Sequence, residues 1–283
     1  MIVVTGAAGQ LGTAFRSLLP DATFLTRDDL DLADTESIRP TLEPLDPELI
    51  INCGAYTAVD RAEVEEQLAW RINAAALREM GWMCADYAIP LVTFSTDYVF
   101  GGMAERPYVE SDPTAPINAY GRTKAAGEKF VQETQPDGLI IRTSWLMSGT
   151  HPNFVATMLR LAREKELSVV ADQYGCPTVA ADLAAATLRA VDSGASGILH
   201  LCNQGETTWF ELARTAVEIA GIDPEQIRPI ATEEHETPAP RPAYSVLGSE
   251  RLETLGIEPL PPWRDSLPGV VEQLIAPGGP AGG

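Results

Sequence analysis

The sequence predicts a doubly wound α/β domain, Rossmann-like, with a smaller C-terminal lobe. Three observations carry this prediction. Short apolar runs alternate with helical periodicity through the first two thirds, a glycine triplet follows the first run, and proline-rich chain replaces the alternation beyond Gly221. Continuous apolar strands separated by helices indicate a parallel sheet covered on both faces.

Taken in order, "MIVVT" reads as a strand and "QLGTAFRSLL" as the helix after it. "ATFLT" and "ESIRPTL" repeat the pair, and "LIINCG" is followed by a long helical segment ending at Tyr87. "PLVTFST", a helix around "AYGRTKAAGEKFVQE" and the strand "GLIIRTSW" continue it. The pattern then loosens: a helix over "NFVATMLRLAREKE", the segment "LSVVADQYGCPT", a helix over "ADLAAATLRAVDSG", the strand "GILHLC" and a helix from about Phe210 to Ala220. "ETPAPRPAYS" and "EPLPPWRD" read as ordered extended loops, and "APGGPAGG" as a disordered tail over 276–283.

Bulk composition narrows the function classes. With 283 residues, 45% of them hydrophobic and 21% charged, the chain can bury one large core. Its net charge of −20 argues against nucleic acid or anionic membrane as partners. The four cysteines form no CxxC pair and stand beside no histidine cluster, so neither zinc nor a disulfide framework is expected. The chain opens without a basic leader, and no apolar run nears 18 residues, so the expectation is a cytoplasmic protein that does not span a membrane.

In "VVTGAAGQLG", Gly6, Gly9 and Gly12 separate strand from helix. Such a turn brings backbone N–H groups against a pyrophosphate, and the helix N-terminus adds partial positive charge there. The spacing is GxxGxxG. At the end of the second strand, in "FLTRDDLDL", Arg27 can pair with a ribose 2′-phosphate and so favours NADPH, while Asp28 and Asp29 keep NADH open. The expected partition is a dinucleotide-binding domain over 1–145 completed by about 178–204, with a substrate lobe from 146–177 and 205–275.

"PINAYGRTKAAGE" supplies the chemistry. Asn118 is a plausible N-cap, and Tyr120 and Lys124 stand four apart on one helical face. A cation about 4 Å from a phenol favours the phenolate by on the order of 4 kcal/mol at an effective dielectric near 20, which suits Tyr120 to general acid work. With only three lysines against seventeen arginines, Lys124 looks chosen as a compact titratable donor. The preceding strand ends in Ser95, Thr96 and Asp97, at the sheet edge where open α/β folds bind ligands.

The glycine turn, "STDYVFGG" and "YGRTK" together resemble the extended short-chain dehydrogenase/reductases. Within that superfamily "TGAAGQLG", "INCGAYTAVDRAE", "STDYVFGG", "PINAYGRTKAAGE", "RTSWLMSG" and "DQYGCPT" closely resemble the dTDP-4-dehydrorhamnose reductase family. The resemblance spans nearly the whole chain and weakens after Gly221. It implies that Tyr120 donates a proton to a 4-keto oxygen, that Lys124 lowers the tyrosine pKa and holds the nicotinamide ribose, and that Thr96 bonds the keto oxygen or Tyr120. It implies NADPH as cofactor, contacted by Gln10, Leu11 and the glycines of the turn, by Asp31 and Leu32 near the adenine, and by Cys53, Gly54, Ala55, Tyr56 and Asn73. A dTDP-sugar is the implied substrate, met by Thr96, Asp97, Tyr98, Trp145, Gln173 and Arg241.

Trp209, opening a helix in "TTWFELA", reads as a core aromatic. The resemblance leaves a homodimer and a magnesium requirement open, and no acidic cluster is assigned to a metal. Two rival readings are a dehydratase or epimerase of the same superfamily and a non-catalytic NADP-binding regulatory subunit. Dehydratases follow the threonine with an Asp–Glu pair, whereas here Tyr98 follows Asp97.

Overall fold

The computed structural model describes residues 1–281. The first half builds β1 (Ile2–Thr5), α1 (Gln10–Leu18), β2 (Thr23–Leu25), α2 (Ile38–Leu42), β3 (Leu49–Asn52), α3 (Val59–Ala62), α4 (Glu66–Trp70), α5 (Ala76–Tyr87), β4 (Leu91–Thr96), α6 (Ala119–Thr134) and β5 (Leu139–Thr143). A turn of π-helix, Arg71–Ala75, makes the long segment ending at Tyr87 continuous from α4 into α5. The second half adds β6 (Leu146–Met147), α7 (Phe154–Ala162), β7 (Leu167–Val170), β8 (Tyr174–Gly175), β9 (Thr178–Val179), α8 (Ala180–Asp192), β10 (Gly197–His200), β11 (Thr207–Thr208), α9 (Trp209–Ile219), β12 (Ile227–Ile230) and α10 (Trp263–Ile275).

Six parallel strands form the central sheet in the order β10-β5-β4-β3-β1-β2. The order reverses between β1 and β3, the switch point at which open α/β sheets receive ligands. Neighbouring residues on each strand point to opposite faces, and both faces are buried, which is why the strands read as continuous apolar runs. Val3, Ile50 and Ile140 join Leu77, Met80 and Val131 on the α5–α6 side. Val4, Ile51 and Ile141 join Leu11, Phe15 and Leu183 on the α1–α8 side. The stretch 178–204 thus supplies both a cover helix and the β10 edge of this sheet.

A separate core lies in the C-terminal lobe, where Leu159, Val169, Leu212, Val217, Trp263 and Leu267 gather from α7, β7, α9 and α10. The tail expected to be disordered belongs to it over its described part. The Ala281 amide donates to Leu274 O at 3.0 Å, Arg163 donates to Ala281 O at 2.8 Å, and the Ala281 side chain is buried. A methyl group covered by apolar neighbours and a backbone paired at both ends outweigh the flexibility that glycine and proline suggested; positions 282 and 283 lie outside the described residues.

Candidate active site

Each part of the site is held by its local chemistry. Gly6 takes φ +67°, and a Cβ there would lie 2.4 Å from Gly54 N, so the turn after β1 presses directly on the chain leaving β3. Gly12 is pinned in the same way: a Cβ would stand 2.5 Å from Gly6 O. Gly9 leaves its surface to the cavity and supplies the N-cap of α1 without a side chain in the way. The backbone cradle that a pyrophosphate needs is therefore present.

The α6 helix starts where the sequence placed it. Asn118 Oδ1 accepts from Gly121 N at 2.8 Å, while its amide donates to Pro240 O at 3.0 Å and so ties the cap to the C-terminal loop. Tyr120 and Lys124 then face β4. Lys124 Nζ donates to Phe94 O at 2.6 Å, leaving two of its three N–H groups free. Tyr98 meets the Tyr120 ring edge-on with centroids 6.0 Å apart.

These groups line a cleft of about 680 Å3 at the carboxyl ends of the strands. Of the sequence candidates, Gly9, Gln10, Leu11, Cys53, Ala55, Thr96, Asp97, Tyr98, Tyr120, Lys124 and Trp145 border it. A second cavity of about 200 Å3 opens beside Gly9, Cys53 and Ala55, and is walled by Gly6, Arg27, Asp31, Leu32 and Gly54. Together they form one long trough across the switch point, with Thr96, Tyr120 and Lys124 at one end and Arg27, Asp31, Leu32 and Ile72 at the other. Ser95 and Thr143 border the main cleft and keep buried hydroxyls with no protein partner. The glycine cradle and the length of the trough fit an elongated dinucleotide.

Other candidates stand elsewhere. Gln173 is buried and donates to Thr232 Oγ1 at 3.1 Å, away from the cleft lining. Arg241 is spent on Asp60 at 2.9 Å and on Ala239 O at 2.9 Å, with its guanidinium 6.0 Å from the Tyr98 ring. Neither borders the cleft in this structure, because both are consumed by internal partners. Asn73 is buried with its amide divided between the Tyr56 backbone and Thr123 Oγ1, so it acts on the trough through the 53–57 loop, and Tyr56 turns its hydroxyl to Glu65.

Burial changes the electrostatics expected from sequence. It pushes the Tyr120 phenol above its ordinary value, with the neighbouring Thr96 hydroxyl working the other way and the Asp97 charge adding to it. The same cause brings Lys124 down to about 8, with Glu128 opposing it. Asp97 is pushed up to about 6 by burial, offset by bonds from Ser245 and Thr96. The sequence argument counted the cation beside the phenol and omitted the desolvation of both. At neutral pH the site therefore holds a proton on Tyr120 and a charge on Lys124.

Two aromatics border the cleft against expectation: Trp209, expected as a core aromatic, and His151, which was not singled out. Trp209 borders it, half-buried, and stacks on Trp145 with centroids 3.5 Å apart and planes within 9°. Trp145 itself takes φ +45°, an uncommon conformation for a bulky residue, and its ring lies over Gly175. His151 lies at the other rim, with Nε2 3.0 Å from Ala8 O in the glycine turn. Its place just after "RTSWLMSG" was the available signal.

A family model described as the RmlD substrate binding domain matches residues 1–276. The chain belongs to the RmlD family. Among its relatives, the dTDP-4-keto-6-deoxy-D-glucose reductase of Streptomyces niveus is 42% identical over 94% of each chain. The dTDP-4-dehydrorhamnose reductase of Mycolicibacterium smegmatis is 41% identical over 97% of this chain and 86% of its own. Among solved structures, the dTDP-4-dehydrorhamnose reductase of Bacillus anthracis in complex with NADP is 38% identical, with a TM-score of 0.90 over 94% of this chain and 96% of that one. The RmlD fold is thus the doubly wound one described above. Among the described residues no group of three or more His, Cys, Asp or Glu side chains is placed to hold a metal ion, and no helix is long and apolar enough to cross a membrane.

Proposed function

We propose that this chain reduces the 4-keto group of dTDP-4-dehydro-L-rhamnose with NADPH, giving dTDP-L-rhamnose as the last step of dTDP-rhamnose synthesis for cell-surface polysaccharide, in the cytoplasm. The observation that carries the reading is the meeting of Thr96, Tyr120 and Lys124 in one cleft continuous with the glycine cradle. NADP in the related Bacillus anthracis structure supports the cofactor.

Bound NADPH supplies the hydride. Tyr120 holds the proton for the keto oxygen, and its buried phenol keeps that proton at neutral pH. As the proton leaves, the nearby ammonium of Lys124, fixed by Phe94 O, favours the developing phenolate. Thr96, at the cleft, donates to Asp97 Oδ1 at 2.9 Å and accepts from Tyr98 N at 3.2 Å, which fixes its hydroxyl in place. Arg27, exposed and 3.5 Å from Asp31, stands at the adenine end where a 2′-phosphate would compete for it. Gln173 and Arg241 take part in nucleotide binding only if they exchange Thr232 and Asp60 for the ligand.

A second substrate has support of its own, since the Streptomyces niveus relative is named for dTDP-4-keto-6-deoxy-D-glucose. The two candidates share a 4-keto-6-deoxyhexose on dTDP. The test supplies each to the purified protein with NADPH and identifies the product by NMR. Preferential conversion of dTDP-4-dehydro-L-rhamnose to the rhamno product is expected; preference for the gluco-configured ketone would replace the substrate, and inertness toward both would overturn the reading.

A further inference from the structure

Beyond the cleft, the same face of α6 continues to Glu128, four residues past Lys124 and eight past Tyr120. Glu128 is 4% exposed and its partner Arg142 on β5 is 2% exposed. Arg142 grips the carboxylate with both arms of its fork, Nε at 2.9 Å and Nη2 at 2.7 Å. Its remaining side is boxed in. Nη1 lies 3.3 Å from His200 Nε2, and the guanidinium carbon lies 5.0 Å from the Phe100 ring centroid. His200 turns Nδ1 to Gly248 O at 2.8 Å, so Nδ1 carries the proton and Nε2 accepts. Glu110, a second buried carboxylate, is used by the His200 amide, Ser249 Oγ and the Glu250 amide.

An ion pair this deep is expensive, and well-packed apolar residues generally serve stability as well or better. The location suggests another use. Lys124 is itself 4% exposed, so the interior holds two cations, Lys124 and Arg142, among the buried carboxyls of Glu128, Glu110 and Asp97, with His200 neutral. Remove Glu128 and two buried cations face each other across α6 and β5. Of the charges on the other elements packed against α6, Glu66 pairs with Arg122 of α6 itself, Arg78 with Glu79, Asp86 with Arg39, Arg61 with Glu65 and Asp60 with Arg241, while Arg71 is exposed. Asp97, after β4, acts on Thr96 and Ser245 at the pocket side.

We infer that Glu128 is the positioning residue of this helix: clamped by Arg142, it holds the Tyr120–Lys124 face of α6 against β4 and β5 and supplies the buried countercharge for the Lys124 ammonium. Residues four apart on a helix lie about 6 Å apart at Cβ, close enough for the carboxylate to act on the ammonium without touching it. Glu128 indeed opposes the effect of burial on Lys124. Arg142 also stands two residues before Ser144, on the strand that leads into the substrate-side wall, so the clamp joins the proton-donating helix to that wall. The catalytic consequence rests on the reductase reading, but the electrostatic one does not.

The test exploits the three lysines of the chain. In protein labelled with 13C-lysine, the Lys124 Cε resonance is assigned by its loss in Lys124→Met, and its titration is followed in wild type, in Glu128→Gln and in the double variant Glu128→Leu/Arg142→Met. The double variant replaces the pair with apolar bulk and so preserves the fold should Glu128→Gln lose it. The Lys124 midpoint should move to lower pH by about two units in Glu128→Gln, the size of one countercharge about 6 Å away in an effective dielectric near 20, and by less in the double variant, where loss of the Arg142 cation offsets part of the shift. The alkaline limb of kcat should move with it, with KM for the sugar nucleotide within twofold. An unmoved midpoint in Glu128→Gln, or, should that variant not fold, a midpoint in the double variant that does not fall, would overturn the inference. A moved midpoint with an unmoved kcat limb would support the Glu128–Lys124 coupling while counting against the reductase role of Lys124.

Discussion

Replacing Asp97 with Asn should make the protein more stable at neutral pH and less dependent on pH. The carboxyl is 2% exposed, and burial pushes it from 3.8 up to about 6. Each pKa unit corresponds to 1.36 kcal/mol, so the ionised form is disfavoured by about 3 kcal/mol in the folded state. The sign follows from the raised value: the stabilising contribution is complete below 3.8 and is lost as pH rises through about 6. Between pH 5 and pH 8 the wild type should therefore lose about 1.4 kcal/mol relative to Asp97→Asn. Asparagine keeps an acceptor for Thr96, and Ser245 can turn its proton from Asp97 to Tyr174 O, 3.4 Å away. Urea unfolding at a series of pH values, read by tryptophan fluorescence, measures the difference. Parallel stability curves for the two proteins would refute the reasoning.

Gly175→Ala should disturb the indole stack without touching the catalytic groups. A Cβ would lie 2.5 Å from Trp145 Cε2, and the ring cannot retreat because Trp209 covers its other face. Overpacking of this kind costs about 1–3 kcal/mol, and the expected signs are a lowered Tm, altered tryptophan emission and a raised KM for the sugar nucleotide; unchanged values of all three would contradict the packing. Arg27→Ala should raise KM for NADPH about tenfold, as loss of one charge-assisted bond predicts, with little change for NADH. Equal changes for both cofactors would remove the 2′-phosphate role. Activity should fall on the alkaline side as Lys124 loses its proton near pH 8, which a kcat profile from pH 6 to pH 10 checks.

The legible parts of the molecule were those set by local chemistry. Strand runs, the glycine turn, the Asn118 cap and the Tyr120–Lys124 spacing each need only a few neighbouring residues, and each fixes the direction of a backbone or a side chain. What sequence could not supply were contacts made by distant segments. Trp209 reaches the cleft because Thr207–Thr208 pair with Tyr174–Gly175, a juxtaposition no local pattern announces. Arg241 and Gln173 carry the right chemistry for a nucleotide, but Asp60 and Thr232, remote in sequence, take their donors. The Tyr120 phenol moves the opposite way from the sequence estimate because desolvation depends on everything packed around it. The Glu128–Arg142 pair was equally hidden, since a glutamate on α6 and an arginine on β5 are each unremarkable until the sheet brings them together.

The most direct test of the account is NADPH oxidation, followed by absorbance, with dTDP-4-dehydro-L-rhamnose generated in situ, comparing wild type with Tyr120→Phe. The account predicts steady turnover by the wild type and a fall of about 100-fold or more in kcat for the variant, the size expected when a positioned general acid is removed. Absence of turnover by the wild type, or equal turnover by Tyr120→Phe, would contradict it.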